Sequence, residues 1–228
     1  MSLLFEPINL GGVALRNRVV MTSMHTGLED KRQRLPDLAR FYRERAEGGV
    51  GLIITGGFSP NWRGILYPGA GTARYWFSLK GHEQVTDAVH GAGGKIFLQL
   101  LHAGRYSYHP LAQSASASKA PINRFAAQAM SHRQVKSLIN DYVISAKRAK
   151  KAGYDGVEIM GSEGYLLNQF LAKRTNQRTD EYGGSHENRM RLPLEVMAAV
   201  RKAMGADFGI IFRTSMLDLV EDGQTADE

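Results

Sequence analysis

Residues 161–191 hold the densest set of chemically capable side chains. Glu163, Tyr165, Arg178, Asp180, Glu181, Arg189 and Arg191 share a stretch with few apolar residues. The segment follows an apolar run, 157–160, the order expected of an active-site loop carried on a rigid strand. Tyr165 follows Gly164 and could serve as a general acid. A phenol with an ordinary pKa of about 10 still holds its proton at neutral pH and can pass it to a forming anion. Basic neighbours could lower that pKa and make it a better donor. The alternative for Tyr165 is a packing residue at a helix start. Glu163 beside it either orients a polar partner or faces water. Arg189 and Arg191 read as loop fasteners, through partners such as Asp180 or Glu187.

Other candidates sit where apolar runs end. Ser23, Met24 and His25 follow the first run, and Gly56 and Gly57 the second. The third ends at Gln99, followed by His102, Gly104, Arg105 and Tyr106, and Arg213 lies at the end of the last. An amide, an arginine and glycines on one rim could hold a planar heteroaromatic ring. Gln both donates to and accepts from a pyrimidine-like edge, and Arg offers fixed positive charge beside an edge that becomes anionic on reduction. Taken singly, each has a plainer role. Gln99 could satisfy buried backbone, Arg213 could pair with Glu158, and Gly56-Gly57 could be a tight turn. His25, His102 and His109 could be structural. Their coincidence on successive run ends favours a site.

These residues need elements to position them. Strands are predicted at 18–24, 51–55, 95–101, 155–160 and 208–215, and helices at 38–46, 81–90, 132–152 and 187–204, from apolar runs and three-to-four spacing. Glycines close the helices, and Ser131 and Ser185 are candidate N-caps. Alternating strand and helix implies a parallel sheet with right-handed crossovers. The first strand runs into Thr22-Ser23-Met24-His25 rather than a glycine fingerprint, which disfavours the dinucleotide-binding open sheet. Polar residues at the C-terminal ends of all the strands favour a (β/α)8 barrel. Residues 6–17, with Gly11-Gly12, read as a hairpin capping its bottom. Five strand–helix units are too few to close eight, so the sequence reads as a fragment of a longer chain.

The 228 residues are 43% hydrophobic, contain no cysteine and carry a formal charge of +7. Disulfides, thiolate nucleophiles and cysteine-held clusters are therefore absent from this sequence. Lys and Arg are scattered, which points away from nucleic acid and fits a polyanionic small molecule. The start carries no secretory pattern and no run suits a bilayer span, so a soluble cytoplasmic protein is expected.

The segment Asn176-Gln177-Arg178-Thr179-Asp180-Glu181-Tyr182-Gly183-Gly184-Ser185, running on to Glu187-Asn188-Arg189-Met190-Arg191, resembles the signature of the Old Yellow Enzyme family of FMN-dependent oxidoreductases. So do Leu15-Arg16-Asn17-Arg18-Val19 and Gly153-Tyr154-Asp155-Gly156-Val157-Glu158. The resemblance runs along the whole chain and implies the first part of a TIM (β/α)8 barrel with FMN at its C-terminal rim. It further implies that Ser23, Met24, His25, Gly57, Gln99 and Arg213 contact FMN and that Tyr165 is the proton donor. Thr175, Asn176, Gln177, Arg178 and Glu163 would lie near the substrate.

Within the family, Met24-His25-Thr26-Gly27-Leu28-Glu29, His102-Ala103-Gly104-Arg105-Tyr106-Ser107-Tyr108, Ala120-Pro121-Ile122-Asn123-Arg124-Phe125 and Met160-Gly161-Ser162-Glu163-Gly164-Tyr165 are most similar to the bacterial 2,4-dienoyl-CoA reductases of unsaturated fatty acid oxidation. Met160 and Glu163 stand where typical ene reductases carry His and His or Asn as a carbonyl clamp, which argues for a differently bound thioester-conjugated diene. The resemblance implies an acyl-CoA substrate. In the full-length protein it implies further barrel strands, then FAD, a 4Fe–4S cluster and NADPH as the electron route. Two other readings stand: an amine dehydrogenase or N-demethylase of the same family, with Tyr106 and Tyr108 favouring a cation, and a non-catalytic partial barrel with exposed strand edges.

Overall fold

The computed structural model describes residues 2–227. The chain opens with an antiparallel hairpin, β1 (Ile8–Leu10) and β2 (Val13–Leu15). Then come β3 (Val20–Met21), α1 (Leu35–Glu47), β4 (Leu52–Phe58), α2 (Glu83–Gly91) and β5 (Lys95–Leu100). A short parallel pair, β6 (Gln113–Ser114) and β7 (Gln128–Ala129), precedes α3 (His132–Lys151). The chain continues through β8 (Gly156–Gly161), α4 (Leu166–Leu171), α5 (His186–Met204) and β9 (Gly209–Thr214). One five-stranded sheet runs in the order β3-β4-β5-β8-β9, each neighbouring pair parallel. The result is a parallel α/β half-barrel. Among the described residues no helix is long and apolar enough to cross a membrane.

Strand periodicity separates the two faces of this sheet. Ile53, Ile96, Leu98, Val157 and Ile159 turn outward into the large core beneath the helices, with Leu38 and Tyr42 of α1 and Leu138 and Tyr142 of α3. Leu52, Ile54 and Phe97 form a second buried cluster with Val13 and Leu15 of the hairpin, and Ile211 packs against it. Two residues further along each strand, this second face becomes polar: Gln99 follows Phe97, and Arg213 follows Ile211. The same face is thus greasy at one end and chemically equipped at the other.

Local signals explain the helices. Ser131 caps α3 through a reciprocal capping box with Gln134, and Ser185 accepts from the Asn188 amide at the start of α5. Three expectations need correction, two at strands and one in the polar loop. The first strand pairs only at Val20 and Met21, because Asn17 bonds the Val19 amide and the Gly49 carbonyl and the chain then folds into a turn at Thr26. Gly56 and Gly57 lie inside β4, which continues past a register shift between Ile54 and Gly57, rather than in a turn after it. Residues 166–171 of the polar loop form α4, whose side chains are all buried.

Candidate active site

The polar end of the inner sheet face is a connected set. The Gln99 amide donates from Nε2 to Ser23 Oγ at 2.7 Å and to Glu158 Oε1 at 2.8 Å. Arg213 Nη1 reaches the same Ser23 hydroxyl at 3.3 Å, while its Nη2 meets Glu163 Oε1 at 2.7 Å. Arg213 therefore pairs with Glu163, not Glu158. The Glu158 carboxyl is only 4% exposed. Burial pushes its pKa up, against the Gln99 bond and the Arg213 charge, and Glu163 adds to the rise. Gly57 sits beside Gln99 in the register, and a Cβ there would come within 2.9 Å of Gln99 Oε1 and 2.8 Å of Leu101 Cβ. Any side chain at 57 would displace the amide.

Ser23, Gly57, Gln99 and Glu163 line a cavity of about 180 Å³ together with Ser59, Leu66, Leu101, Met160 and Tyr165, while Arg213 and Glu158 stand behind this lining, bonded to Ser23 and Glu163 and to Gln99. Tyr165 is the N-cap residue of α4 and packs edge-on against Tyr106, ring centroids 5.9 Å apart. The turn before it is tightly specified. Glu163 and Gly164 both take positive φ, 59° and 76°, and a Cβ on Gly164 would meet the Tyr106 ring at 2.9 Å. Burial raises the Tyr165 pKa, Glu163 and Tyr106 add to it, and Arg213 opposes them. The expected lowering by basic neighbours is thus outweighed, and the phenol is neutral throughout the physiological range.

The facing wall is held by one carboxylate. Asp30 accepts from His25 Nε2 at 2.9 Å, from the Tyr67 hydroxyl, and from the Gly71 amide at 3.0 Å. His25 and Gly71 both line the cavity. The Asp30 bond raises the His25 pKa despite burial, with Glu29 assisting, and raises Tyr67 to about 12. Burial pushes Asp30 up, but its bonds to His25, Tyr67 and Gly71 outweigh that and leave it lowered.

The structure therefore brings Ser23, His25, Gly57, Gln99, Glu163, Tyr165 and Arg213 to one place. Met24 is set apart: its side chain is 50% exposed and does not line the cavity. Residues 175–178 do not line this cavity, although Thr175 lines a neighbouring groove. Thr175 Oγ1 donates to the Gln169 and Ala172 carbonyls, and the Asn176 amide to the Phe170 and Tyr182 carbonyls. Gln177 bonds Ser116 and the Lys173 carbonyl. Arg178 grips Asp180 and the Ala115 and Met130 carbonyls. Their polar groups brace the loop. Arg189 donates to the Leu171 and Gly184 carbonyls, and Arg191 to the Glu181 carbonyl and the Asn188 side chain, so both fasten the loop. His102 is buried and pushed down to about 3 by desolvation, its Nδ1 accepting from Gly104, which makes it a neutral structural group. Glu158, Asp30 and Tyr67 are site residues the sequence did not single out. The inward period of Glu158, two before Met160, was the available signal for the first.

Compared with known proteins, residues 3–228 match the model of the NADH:flavin oxidoreductase / NADH oxidase family. The chain is 40% identical to a metal reductase of Desulforamulus reducens, over 100% of this chain and 35% of that protein. It is 36% identical to the N,N-dimethylglycine/sarcosine dehydrogenase of Chromohalobacter salexigens, over 99% of this chain and 34% of that protein. Identity to the cinnamate reductase of Clostridium sporogenes is also 36%, over 96% and 35% respectively. The chain thus spans about a third of the length of these curated relatives. Among solved structures, the Old Yellow Enzyme homologue of Zymomonas mobilis superimposes with a TM-score of 0.88 at 32% identity, covering 98% of this chain and 66% of that one. A 2-naphthoyl-CoA reductase in complex with 2-naphthoyl-CoA gives 0.89 at 28% identity, covering 99% and 37%.

Proposed function

The chain belongs to the NADH:flavin oxidoreductase / NADH oxidase family, FMN-dependent oxidoreductases of the Old Yellow Enzyme type, and on that premise we propose that it reduces a conjugated C=C bond in an acyl-CoA thioester, as a 2,4-dienoyl-CoA reductase does. One observation carries this reading: a neutral phenol, Tyr165, lines the same cavity as Ser23, Gly57 and Gln99. In this reading the half-barrel is the first five strand–helix units of a (β/α)8 barrel, with the hairpin at its base. FAD, a 4Fe–4S cluster and an NADPH site belong to the full-length protein.

The donor set fits FMN. Ser23 Oγ accepts from both Gln99 and Arg213, which leaves its own hydrogen to donate into the cavity. Gly57 keeps backbone rather than a side chain at the wall. FMN bound here would supply hydride. Ser23, Gln99 and Arg213 would hold its polar edge, with His25 and Gly57 completing the contacts, and the exposed Met24 side chain would lie outside them. Arg213 is kept in place by Glu163 and would carry positive charge to an edge that becomes anionic.

Hydride addition to one end of the diene drives charge toward the thioester carbonyl. Tyr165 then gives its hydroxyl proton to the substrate carbon, and water restores the phenol. Because burial holds this proton firmly, the acid is fully loaded at neutral pH, and removing it should cost about 10²–10⁴ in rate. Residues 175–178 enter as the brace of the loop that carries Tyr165.

A second reading is an amine dehydrogenase. The similarity to a dimethylglycine/sarcosine dehydrogenase favours it, as do Tyr106 and Tyr165 as neighbouring rings beside the cavity. Steady-state turnover of the full-length protein separates them. NADPH-dependent reduction of a 2,4-dienoyl-CoA with no oxidation of N,N-dimethylglycine is expected, and the reverse pattern would overturn the proposal.

A further inference from the structure

The cavity continues outward past Glu163. This residue also lines an open groove of about 350 Å³ bounded by Arg105 and Tyr106, by Gly164, Asn168 and Ala172, and by residues 217–220. Its apolar lining is Ala172, Leu217, Leu219 and Val220, with Leu219 92% exposed. It also holds two arginines, Arg105 and, beside the 217–222 segment, Arg174, whose backbone N–H donates to the Asp222 carbonyl. Arg105 Nε is buried and has no hydrogen-bond partner, and the Arg174 side chain reaches only the Glu221 carbonyl, at 3.4 Å, among the described residues. Of the groove's acids, Glu163 is paired with Arg213, while Asp218 keeps its charge and accepts from neutral donors, the Asn168 amide and the Gln224 backbone N–H. The groove thus combines an apolar lining with two guanidinium groups that pair with no carboxylate among the described residues.

We propose that this groove binds the coenzyme A arm of the substrate. The pantetheine chain lies along Leu217, Leu219 and Val220, and phosphates meet Arg105 and Arg174. The inference rests on the thioester reading of the cavity. Three features support it. Glu163 lies on both cavity and groove, so a thioester placed beside Tyr165 has its tail on a continuous path. Guanidinium groups suit phosphate because their paired N–H donors match two oxygens. A solved relative of the same fold holds a CoA thioester. An apolar lining alone would suit many ligands; the arginine pair selects an anionic tail.

The test is calorimetric binding of coenzyme A, and of pantetheine as the phosphate-free control, to the full-length holoenzyme. Arg105→Gln and Arg174→Gln should each weaken coenzyme A roughly tenfold, as expected for one lost charge-assisted contact, and leave pantetheine unchanged. Leu219→Asp, at a fully solvated position that leaves the fold alone, should weaken both ligands. No coenzyme A binding by the wild type would overturn the proposal. So would undiminished binding by the double arginine variant, or equal losses for both ligands. Turnover of a 2,4-dienoyl thioester of N-acetylcysteamine keeps the two readings apart. Its reduction by the wild type and the arginine variants alike supports the thioester chemistry whatever the groove does. Failure to reduce either thioester removes the chemistry, while the calorimetry still decides the groove.

Discussion

Asp30 shows how one partly buried carboxylate can set the geometry of a wall built from distant parts of the chain. It ties His25, which follows β3, to Tyr67 and Gly71, which follow β4. The His25 pKa is raised above 6.5, so its share of the stability is complete below 6.5 and is lost as pH rises through the folded value. Asp30 is lowered below 3.8, so its share is present above 3.8 and is lost as pH falls through its folded value. Between those limits the wall is locked. Asp30→Asn should bring the His25 titration, followed by imidazole NMR, down to 6.5 or below, because burial then acts without its counterweight. An unchanged titration would show that the carboxylate does not control the wall. Gln99 and Arg213 were legible in the sequence because a polar residue ending an apolar run is conspicuous. Asp30 was not, since its role depends on the tertiary approach of a loop some forty residues away.

At the scale of the element, the polar loop divides into a working end and a fastening. Glu163 and Tyr165 follow β8 directly, and α4 then buries six successive side chains. Residues 175–178 return the chain to β6 and β7, with Arg178 as the central tie. Its side chain is 9% exposed and paired with Asp180. Arg178→Ala should therefore lower unfolding free energy by about 1–3 kcal/mol, from the loss of a partly buried pair and of the donors to two backbone carbonyls. Denaturant unfolding of the variant measures this directly. A large rise in KM with unchanged stability would instead place Arg178 at the substrate. The sequence showed the helices well, because their caps and three-to-four spacing are local. It missed the helical nature of 166–171 because the surrounding polar residues masked a short apolar block. It also overextended the first strand, whose end is set by the side chain of Asn17 rather than by strand propensity.

For the molecule as a whole, period-two alternation does the organising. Each strand sends one residue set to the helices and the other to the inner face. That inner face is sealed by the hairpin at one end and carries the bonded polar groups at the other. Five parallel strand ends were readable from the sequence because parallel crossovers place successive run ends on one rim. The cavity itself was not, because it depends on which inward residues meet: Gln99 with Ser23 and Glu158, Arg213 with Glu163. The central claim is that this assembled rim reduces a conjugated thioester with Tyr165 as acid. Anaerobic stopped-flow mixing of the dithionite-reduced, FMN-loaded full-length protein with a 2,4-dienoyl-CoA tests it most directly. The account predicts rapid return of the oxidised flavin absorbance in the wild type, and a rate about 10²–10⁴ lower in Tyr165→Phe with FMN still bound. No reoxidation by the wild type, or an equal rate in the variant, would contradict it.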